Sequence, residues 1–331
     1  MNTRALPGER PSAAFARCGE YDIFYDTFGV PAARPLLLIM GLGAQMILWP
    51  EVLCQALADA GYFVIRFDNR DAGRSSRGPR LTRSALPVAM VRTLFGARAR
   101  APYTLEDMAA DAVGLLDHLG VARAHVWGVS MGGMIAQTLA IHHSERMASM
   151  VSMMSSAGKV WAAPARPRVL RALISRRRVA SAEAYAERMV AFFRVIGSPG
   201  YPFPAVQIRQ RFLRAYARGA SVDGTRRQLL AILASGDRSA DLARVRVPTL
   251  VIHGRADPLI PMRGGQATAE ALTAAEVELM LIEGMGHDLP PALLPRFVEA
   301  VCRHTARAEA AGSAGAWRRQ SRSGQSRSGQ S

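Results

Sequence analysis

Three residues carry the chemistry that the sequence suggests, namely Ser130, Asp257 and His287. Ser130 stands in GVSMG (residues 128–132), which matches the pattern G-x-S-x-G and lies between an apolar run and a helical one. This setting indicates a nucleophile elbow, a sharp strand-to-helix turn that lifts the serine hydroxyl clear of a sheet. The alternative is a tight turn in which the serine only caps a buried helix.

A serine hydroxyl becomes a good nucleophile when a base accepts its proton. His287 differs from the other six histidines because it stands in the glycine-rich stretch EGMGHDLP, just after the last expected strand. Asp257, in HGRADPLIP after the preceding strand, is the carboxylate expected to orient the imidazole. The order serine, aspartate, histidine is typical of this arrangement on a mostly parallel sheet. The alternative for Asp257 is a plain turn former.

Attack on a carbonyl creates an oxyanion, which two backbone N–H groups are expected to stabilise. Met131, the first residue of the helix after the elbow, supplies one of them. Leu42, in the loop GLGAQ after the apolar run PLLLIM, is expected to supply the second. Because both donors belong to the backbone, the side chains in this loop matter less than its glycines.

The elements that position these residues alternate between strand and helix. AAFARCG and YDIFYDTFG predict two antiparallel strands at the start, and short apolar runs then alternate with helical patterns. The sequence therefore predicts an α/β fold, with a mostly parallel eight-stranded sheet flanked by helices. The carboxyl ends of parallel strands meet at one edge, so the three loops that carry Ser130, Asp257 and His287 should lie together.

The alternation stops over residues 157–236, which contain only helical patterns. We expect four helices there, within RVLRALISRRR, SAEAYAERMVAFFRVIG, PAVQIRQRFLRAYARG and DGTRRQLLAILASG. This segment is predicted to form a helical cap inserted between two core segments, 13–156 and 237–305. Residues 1–12 are expected to be flexible, and residues 306–331, rich in Ser, Gly, Gln and Arg, to be disordered.

Aromatic and methionine side chains of the cap and the core are candidates to line a substrate pocket. Only part of such a set is expected to touch a ligand, because most residues on apolar helical stripes pack in the core. The candidates are Trp161, Phe192, Phe193 and Tyr216 from the cap, and Trp49 and Met153 from the core.

The net charge of +16 could suggest a nucleic-acid partner. However, Lys159 is the only lysine, so the charge reflects a bias toward arginine, and no nucleic-acid-binding motif accompanies it. The three cysteines are scattered without metal-ligand spacing, and no apolar run reaches the ~20 residues of a membrane helix. We therefore expect no nucleic-acid partner, metal, cofactor or stable membrane insertion, and a cytoplasmic monomer or homodimer.

Over residues from about 14 to 305 the motifs resemble those of the α/β-hydrolase superfamily. The details are most similar to the aclacinomycin methylesterase-like esterases. This likeness is carried by LLLIMGLGAQMILWP, VIRFDNRDAGRS, HVWGVSMGGMIAQ, VPTLVIHGRADPLIP and EGMGHDLP. The resemblance also implies that Asp68, Arg70, Gly73 and Ser75 hold a loop near the elbow. Most members of the superfamily have histidine before the glycine of the oxyanion loop, where this chain has Met40.

The resemblance implies a serine esterase that forms an acyl-enzyme on Ser130 and acts on a small hydrophobic, possibly methyl, ester. Two alternatives remain open on the sequence. The same triad serves carbon–carbon bond hydrolysis, perhydrolysis and acyl transfer, and some non-enzymatic ligand receptors retain it.

Overall fold

A computed structural model describes residues 10, 12–82, 85–94, 99–158, 169 and 181–325 of the chain. Eight strands form one sheet in these residues. They are β1 (Ala14–Cys18), β2 (Tyr21–Phe28), β3 (Arg34–Ile39), β4 (Tyr62–Phe67), β5 (Ala124–Val129), β6 (Met147–Met153), β7 (Thr249–Gly254) and β8 (Val277–Ile282).

The strands lie in the order β1-β2-β4-β3-β5-β6-β7-β8. β2 pairs antiparallel with both β1 and β4, and the other neighbours are parallel. The predicted fold class is therefore confirmed, including the antiparallel start. β5, which leads to the elbow, lies between β3 and β6 in the middle of the sheet.

Helices cover the sheet and build the cap. Within the described ranges they are α1 (Glu51–Asp59), α2 (Ala85–Leu94), α3 (Leu105–His118), α4 (Met131–His142), α5 (Ala182–Ile196), α6 (Ala205–Ala217), α7 (Val222–Ser235), α8 (Ser239–Leu242), α9 (Arg263–Ala271) and α10 (Leu294–Gln325). None of these helices is long and apolar enough to cross a membrane.

Both faces of the sheet are buried, as is usual for parallel strands. Along β5, Val126 packs in the cluster with α3 and α4, whereas Trp127 packs on the opposite face with α1 and α10. The Trp127 ring contacts Trp49 and Phe297, with ring centroids 5.0 and 6.4 Å apart. This alternation follows from the two-residue period of a strand.

The cap segment contains α5, α6 and α7 between β6 and α8. α5 packs against α6, and the rings of Phe193 and Phe212 lie 5.3 Å apart. These helices agree with three of the four expected helices, whereas the one expected around residues 168–178 lies outside the described residues except for Val169. The division of the chain into cap and core stays a prediction.

The last helix continues beyond residue 305, where the core was expected to end. Ala308 is buried, and Glu309 Oε1 lies 3.1 Å from His125 Nε2. Arg307 pairs with Glu278 at 3.1 Å. The expectation of disorder from residue 306 onward is therefore wrong for the first part of this segment. The reason is the stretch ARAEAA (306–311), whose strong helix formers extend the preceding helix.

Candidate active site

Ser130 lies at the turn between β5 and α4 in a backbone conformation that few residues other than glycine adopt. Its φ is 58° and its ψ is −119°. The strained turn is held from both sides, because Ser130 N–H donates to Met153 O at 2.9 Å and Ser155 Oγ donates to Ser130 O at 2.8 Å. Such over-determined strain is common where a side chain must be presented to a ligand.

Two glycines make this turn possible. A Cβ on Gly128 would overlap the carbonyl oxygen of Gly132, and a Cβ on Gly132 would overlap the carbonyl oxygen of Ile39. The two elements that flank Ser130 therefore approach more closely than any side chain would allow. The geometry is that of a nucleophile elbow.

His287 and Asp257 are in direct contact. His287 Nδ1 lies 2.6 Å from Asp257 Oδ2, and both residues are buried. The second carboxylate oxygen, Oδ1, accepts hydrogen bonds from the N–H groups of Leu259 and Ile260, at 2.8 and 2.9 Å. Asp257 thus forms the turn that its local sequence also suggested, and it uses its other oxygen to hold the imidazole.

A second histidine lies behind this pair. His253 Nε2 is 3.6 Å from Asp257 Oδ2 and 2.8 Å from Ile260 O. Burial lowers the pKa of His253, which favours its neutral form. A neutral imidazole that donates to Ile260 O supports the Asp257 loop. Because it carries no positive charge, it does not compete with His287 for the negative charge of Asp257.

The end of α5 holds the loop that carries His287. His287 N–H donates to Ile196 O at 2.7 Å, and Gly286 N–H donates to Ser198 Oγ at 2.8 Å. The Ser198 hydroxyl in turn donates to Asp288. Burial raises the pKa of Asp288, although the hydrogen bond from Ser198 opposes this effect. The cap segment therefore helps to position the histidine.

The loop after β3 lies beside Ser130. A Cβ on Gly41 would come within 3.1 Å of Ser130 Cβ, so this backbone closely approaches the nucleophile. Leu42 and Met131 line the same cavity as Ser130. The next residue, Gly43, donates its N–H to Gln228 Oε1 on α7 at 2.7 Å.

The turn after β4 supports this loop from below. Asp68 Oδ1 accepts the N–H of Met46 at 2.8 Å, and Asn69 Nδ2 donates to Met40 O at 2.9 Å. Ser75 Oγ donates to Asp68 O at 2.5 Å. The other oxygen of Asp68 accepts from Arg218 Nη2 at 2.6 Å, which ties the same turn to the cap.

Arg70 stabilises this turn from the other side. Its guanidinium makes two hydrogen bonds to Asp111 on α3, at 2.6 and 2.8 Å. A bidentate pair of this kind is rigid as well as strong. The motif residues therefore act through their neighbours, as the family resemblance implied, and lie beneath the loop that flanks Ser130.

Ser130 and His287 open onto one cavity of about 250 Å³. Its wall is mostly apolar and combines residues of the core with residues of the cap. Phe192 and Phe193 line it, as expected. Further wall residues include Met134, Met154, Met189, Ile208, Arg211 and Phe212.

Three expected pocket residues do not line this cavity. Trp49 is fully buried below the sheet edge against Trp127, and Leu48 lines the cavity instead. Met153, the last residue of β6, is fully buried, while Met154 of the same core cluster lines the cavity. In both cases the adjacent residue lines the cavity, because the side chains of neighbouring residues point in different directions.

Tyr216 is the third. It lies one helical turn beyond Phe212, where α6 has passed the cavity, and its ring packs on Tyr185 with centroids 5.7 Å apart. The sixth candidate, Trp161, lies outside the described residues.

Sequence reasoning missed Gln228, Arg218 and Ser198, which hold the loops around the site. Each is an ordinary polar residue in or beside a cap helix, and no local motif distinguishes it. The sequence offers one indirect signal. A polar side chain on the inward face of an amphipathic helix must find a hydrogen-bond partner. The sequence alone does not identify that partner more than 80 residues away.

Within the part of the chain that the structure describes, no group of three or more His, Cys, Asp or Glu side chains is arranged to hold a metal ion. The polar groups of the site are instead the Asp257–His287 pair and Ser130, which lines the same cavity as His287. This arrangement can move a proton between a hydroxyl and an imidazole and stabilise the resulting positive charge.

Comparison with known proteins defines the class. The family model described as alpha/beta hydrolase fold matches residues 34–290 of this chain. The chain therefore belongs to the α/β-hydrolase family, as its motifs suggested.

Particular relatives have named activities. Rhodomycin D methylesterase from Streptomyces sp. (strain C5) is 31% identical over 304 residues, covering 86% of this chain and 95% of the relative. A 3-oxoadipate enol-lactonase from Acinetobacter baylyi is 29% identical, covering 84% of this chain and 92% of the relative. Among solved structures, the meta-cleavage product hydrolase of Pseudomonas fluorescens IP01 has a TM-score of 0.69 at 19% identity, covering 89% of this chain and 98% of that one. This last likeness concerns the fold.

Proposed function

We propose that this protein is a serine hydrolase that cleaves carboxylic esters, methyl esters among them, through an acyl-enzyme on Ser130. The observation that carries the proposal is the strained Ser130 at the elbow, which shares one cavity with a His287 whose Nδ1 is bound to Asp257. The methylesterase and lactonase activities of the relatives support it, because a lactone is a cyclic ester.

In the proposed reaction, Nε2 of His287 takes the proton of Ser130 as its oxygen attacks the ester carbonyl. Asp257 keeps Nδ1 protonated and stabilises the imidazolium. The N–H groups of Leu42 and Met131 donate to the oxyanion. His287 then protonates the leaving alcohol, and a water that it activates releases the acid from Ser130.

Phe192 and Phe193, together with the methionines of the wall, give the cavity an affinity for hydrophobic substrates. As part of the same proposal, the protein works as a monomer or homodimer in the cytoplasm, without a nucleic-acid partner, metal or cofactor. The arginine bias of the charge and the scattered cysteines support this part.

Carbon–carbon bond hydrolysis and a receptor role are not favoured. The meta-cleavage product hydrolase shares the fold at low identity, whereas the relatives with higher identity are named for the cleavage of esters and lactones.

The test is hydrolysis of p-nitrophenyl butyrate and of methyl esters by the purified protein and its Ser130→Ala variant. Ser144→Ala, at an exposed turn, is the matched control. We expect Ser130→Ala to lower kcat by about 10³-fold or more, because the covalent route is lost, and Ser144→Ala to have no effect. Hydrolysis that survives Ser130→Ala would refute the proposal.

A further inference from the structure

Arg211 lines the catalytic cavity but has no part in the proposed reaction. It lies on α6 with Pro204, Ile208 and Phe212 at the spacings that place residues on one side of a helix. All four line the cavity. Arg211 therefore belongs to the inward side of α6.

The charge of Arg211 is partly removed from water. Burial is the main cause that lowers the pKa of Arg211, and the nearby positive charge of Arg214 lowers it further. A long arginine stem can cover apolar surface while its head stays hydrated. Arg211 is partly buried in the cavity wall, and desolvation disfavours its charged form.

Among the described residues, Arg211 forms no hydrogen bond or ion pair with the protein. Its neighbours on α6 differ, because Arg209 contacts Glu187 at 2.7 Å and Arg214 contacts Glu51 at 3.3 Å. Glu51 also attracts Arg211 at longer range, but its carboxylate is already held by Arg214. Within the described part of the chain, the charge of Arg211 therefore has no direct counter-ion.

The acid in the cavity wall, Asp288, does not supply that counter-ion. The Ser198 hydroxyl donates to it, and Asp288 is not among the groups that act on Arg211. Burial raises the pKa of Asp288, and the hydrogen bond from Ser198 opposes this effect.

We propose that Arg211 binds a carboxylate of the substrate, so that the enzyme prefers esters that also carry a free acid group. The inference rests on the proposed ester hydrolysis. A partly desolvated cation without a partner is unfavourable until a ligand supplies the opposite charge. A guanidinium pairs with a carboxylate through two parallel hydrogen bonds. The net charge of +16 would also attract such substrates.

A monoester of a dicarboxylic acid is the simplest substrate of this class. We would compare monomethyl glutarate with dimethyl glutarate, which share the chain and the reacting group, and then extend the pair from succinate to suberate. The variant is Arg211→Met, which keeps the length of the side chain without its charge. The matched control is Arg209→Met on the solvent side of the same helix, with 43% of its side chain exposed.

We expect the wild type to have the higher kcat/KM for the monoesters at one or more chain lengths. Arg211→Met should lower that kcat/KM about tenfold or more, the effect of losing hydrogen bonds to a charged group, and should lower the kcat/KM for the diester much less. Arg209→Met should change neither. An equal loss on monoester and diester, or a wild type without preference at every length, would overturn the inference while leaving the proposed function intact.

Binding provides a readout that needs no turnover. Calorimetry with the free dicarboxylates and the Ser130→Ala protein should show binding that is lost on adding Arg211→Met. If neither the glutarate esters nor p-nitrophenyl butyrate is hydrolysed, the proposed function fails, and Arg211-dependent binding would still support the carboxylate site. Binding that is equal with and without Arg211 would refute that site.

Discussion

At the scale of single residues, the site combines a strained Ser130, the proposed nucleophile, with His287, the proposed base, which Asp257 holds in place. Ser130 keeps its positive φ because its N–H donates to Met153 O and its carbonyl accepts from Ser155 Oγ. The absence of side chains at Gly128 and Gly132 allows this tight turn. The strain lies in the backbone, and the hydroxyl is thereby presented to the cavity before a substrate arrives. Preorganisation of this kind reduces the reorganisation needed in the transition state.

The carboxylate of Asp257 is predicted to act through the imidazole. Asp257→Asn keeps the shape, but an amide nitrogen facing His287 Nδ1 favours the wrong tautomer and cannot stabilise the imidazolium. We expect kcat for p-nitrophenyl butyrate to fall by about 10³–10⁴-fold with a small change in KM. Steady-state kinetics with a thermal melt checks this, and Asp223→Asn on the surface of α7 is the control. A loss below tenfold in a folded variant would contradict the assigned role.

The positions of the three proposed catalytic residues could be predicted from the sequence because each stands in a loop just after a recognisable strand. Their shared edge then follows from the parallel sheet. Pocket residues could not be predicted in the same way. Met153 and Met154 are neighbours of one type, and only the exact end of β6 decides which of them faces the cavity.

At the scale of elements, helices of the predicted cap hold the loops that carry the proposed site residues. The end of α5 holds the His287 loop, and Gln228 on α7 joins two core loops. Its Oε1 accepts from Gly43 N–H at 2.7 Å, and its Nε2 donates to Arg70 O at 2.8 Å. Since Gly43 adjoins the proposed oxyanion donor Leu42, α7 fixes the backbone that must face the oxyanion.

Gln228→Ala is therefore predicted to weaken catalysis more than binding. Loss of two buried hydrogen bonds frees the loop, and an oxyanion donor that moves reduces transition-state stabilisation. We expect kcat to fall about tenfold while KM changes less than threefold, an order-of-magnitude expectation for one displaced donor. The control is Arg226→Ala on the same helix, because the Arg226 side chain is half exposed. A rise in KM at constant kcat would assign Gln228 to substrate binding instead.

The elements themselves followed from hydrophobic periodicity, since every expected strand is present in the sheet. α2 was not predicted from this periodicity. The extension of α10 was not predicted either, because the segment that begins at residue 306 is rich in Ser, Gly, Gln and Arg. The links between cap and core could not be predicted, because Asp68 and Arg218 come together from positions 150 residues apart. Only the folded chain determines such a pair.

At the scale of the whole molecule, the packing of α10 on the sheet makes stability depend on pH. Burial lowers the pKa of His304 from 6.5 to about 4, although the negative charge of Glu278 opposes this. The buried ring is thus neutral in the folded protein. The unfolded chain binds a proton near pH 6.5, so it binds more protons than the folded chain between pH 6.5 and 4. The free energy of unfolding therefore falls as the pH falls through this window.

His304 is predicted to account for about 3 kcal/mol of that loss. Urea denaturation of the wild type and of His304→Met at pH 7 and pH 4 measures it, since methionine fills a similar space and does not titrate. The variant should lose less stability than the wild type over the same interval. Parallel losses in the two proteins would show that His304 does not contribute.

The central claim for the whole molecule is that one serine among many is the nucleophile, because the fold places Ser130 beside the Asp257–His287 pair. Labelling with a fluorophosphonate, followed by mass spectrometry of the peptides, tests this most directly. We predict a single adduct on Ser130 that forms in step with the loss of esterase activity and is absent from Ser130→Ala. An adduct on another residue, or full activity in a protein labelled at Ser130, would contradict the account.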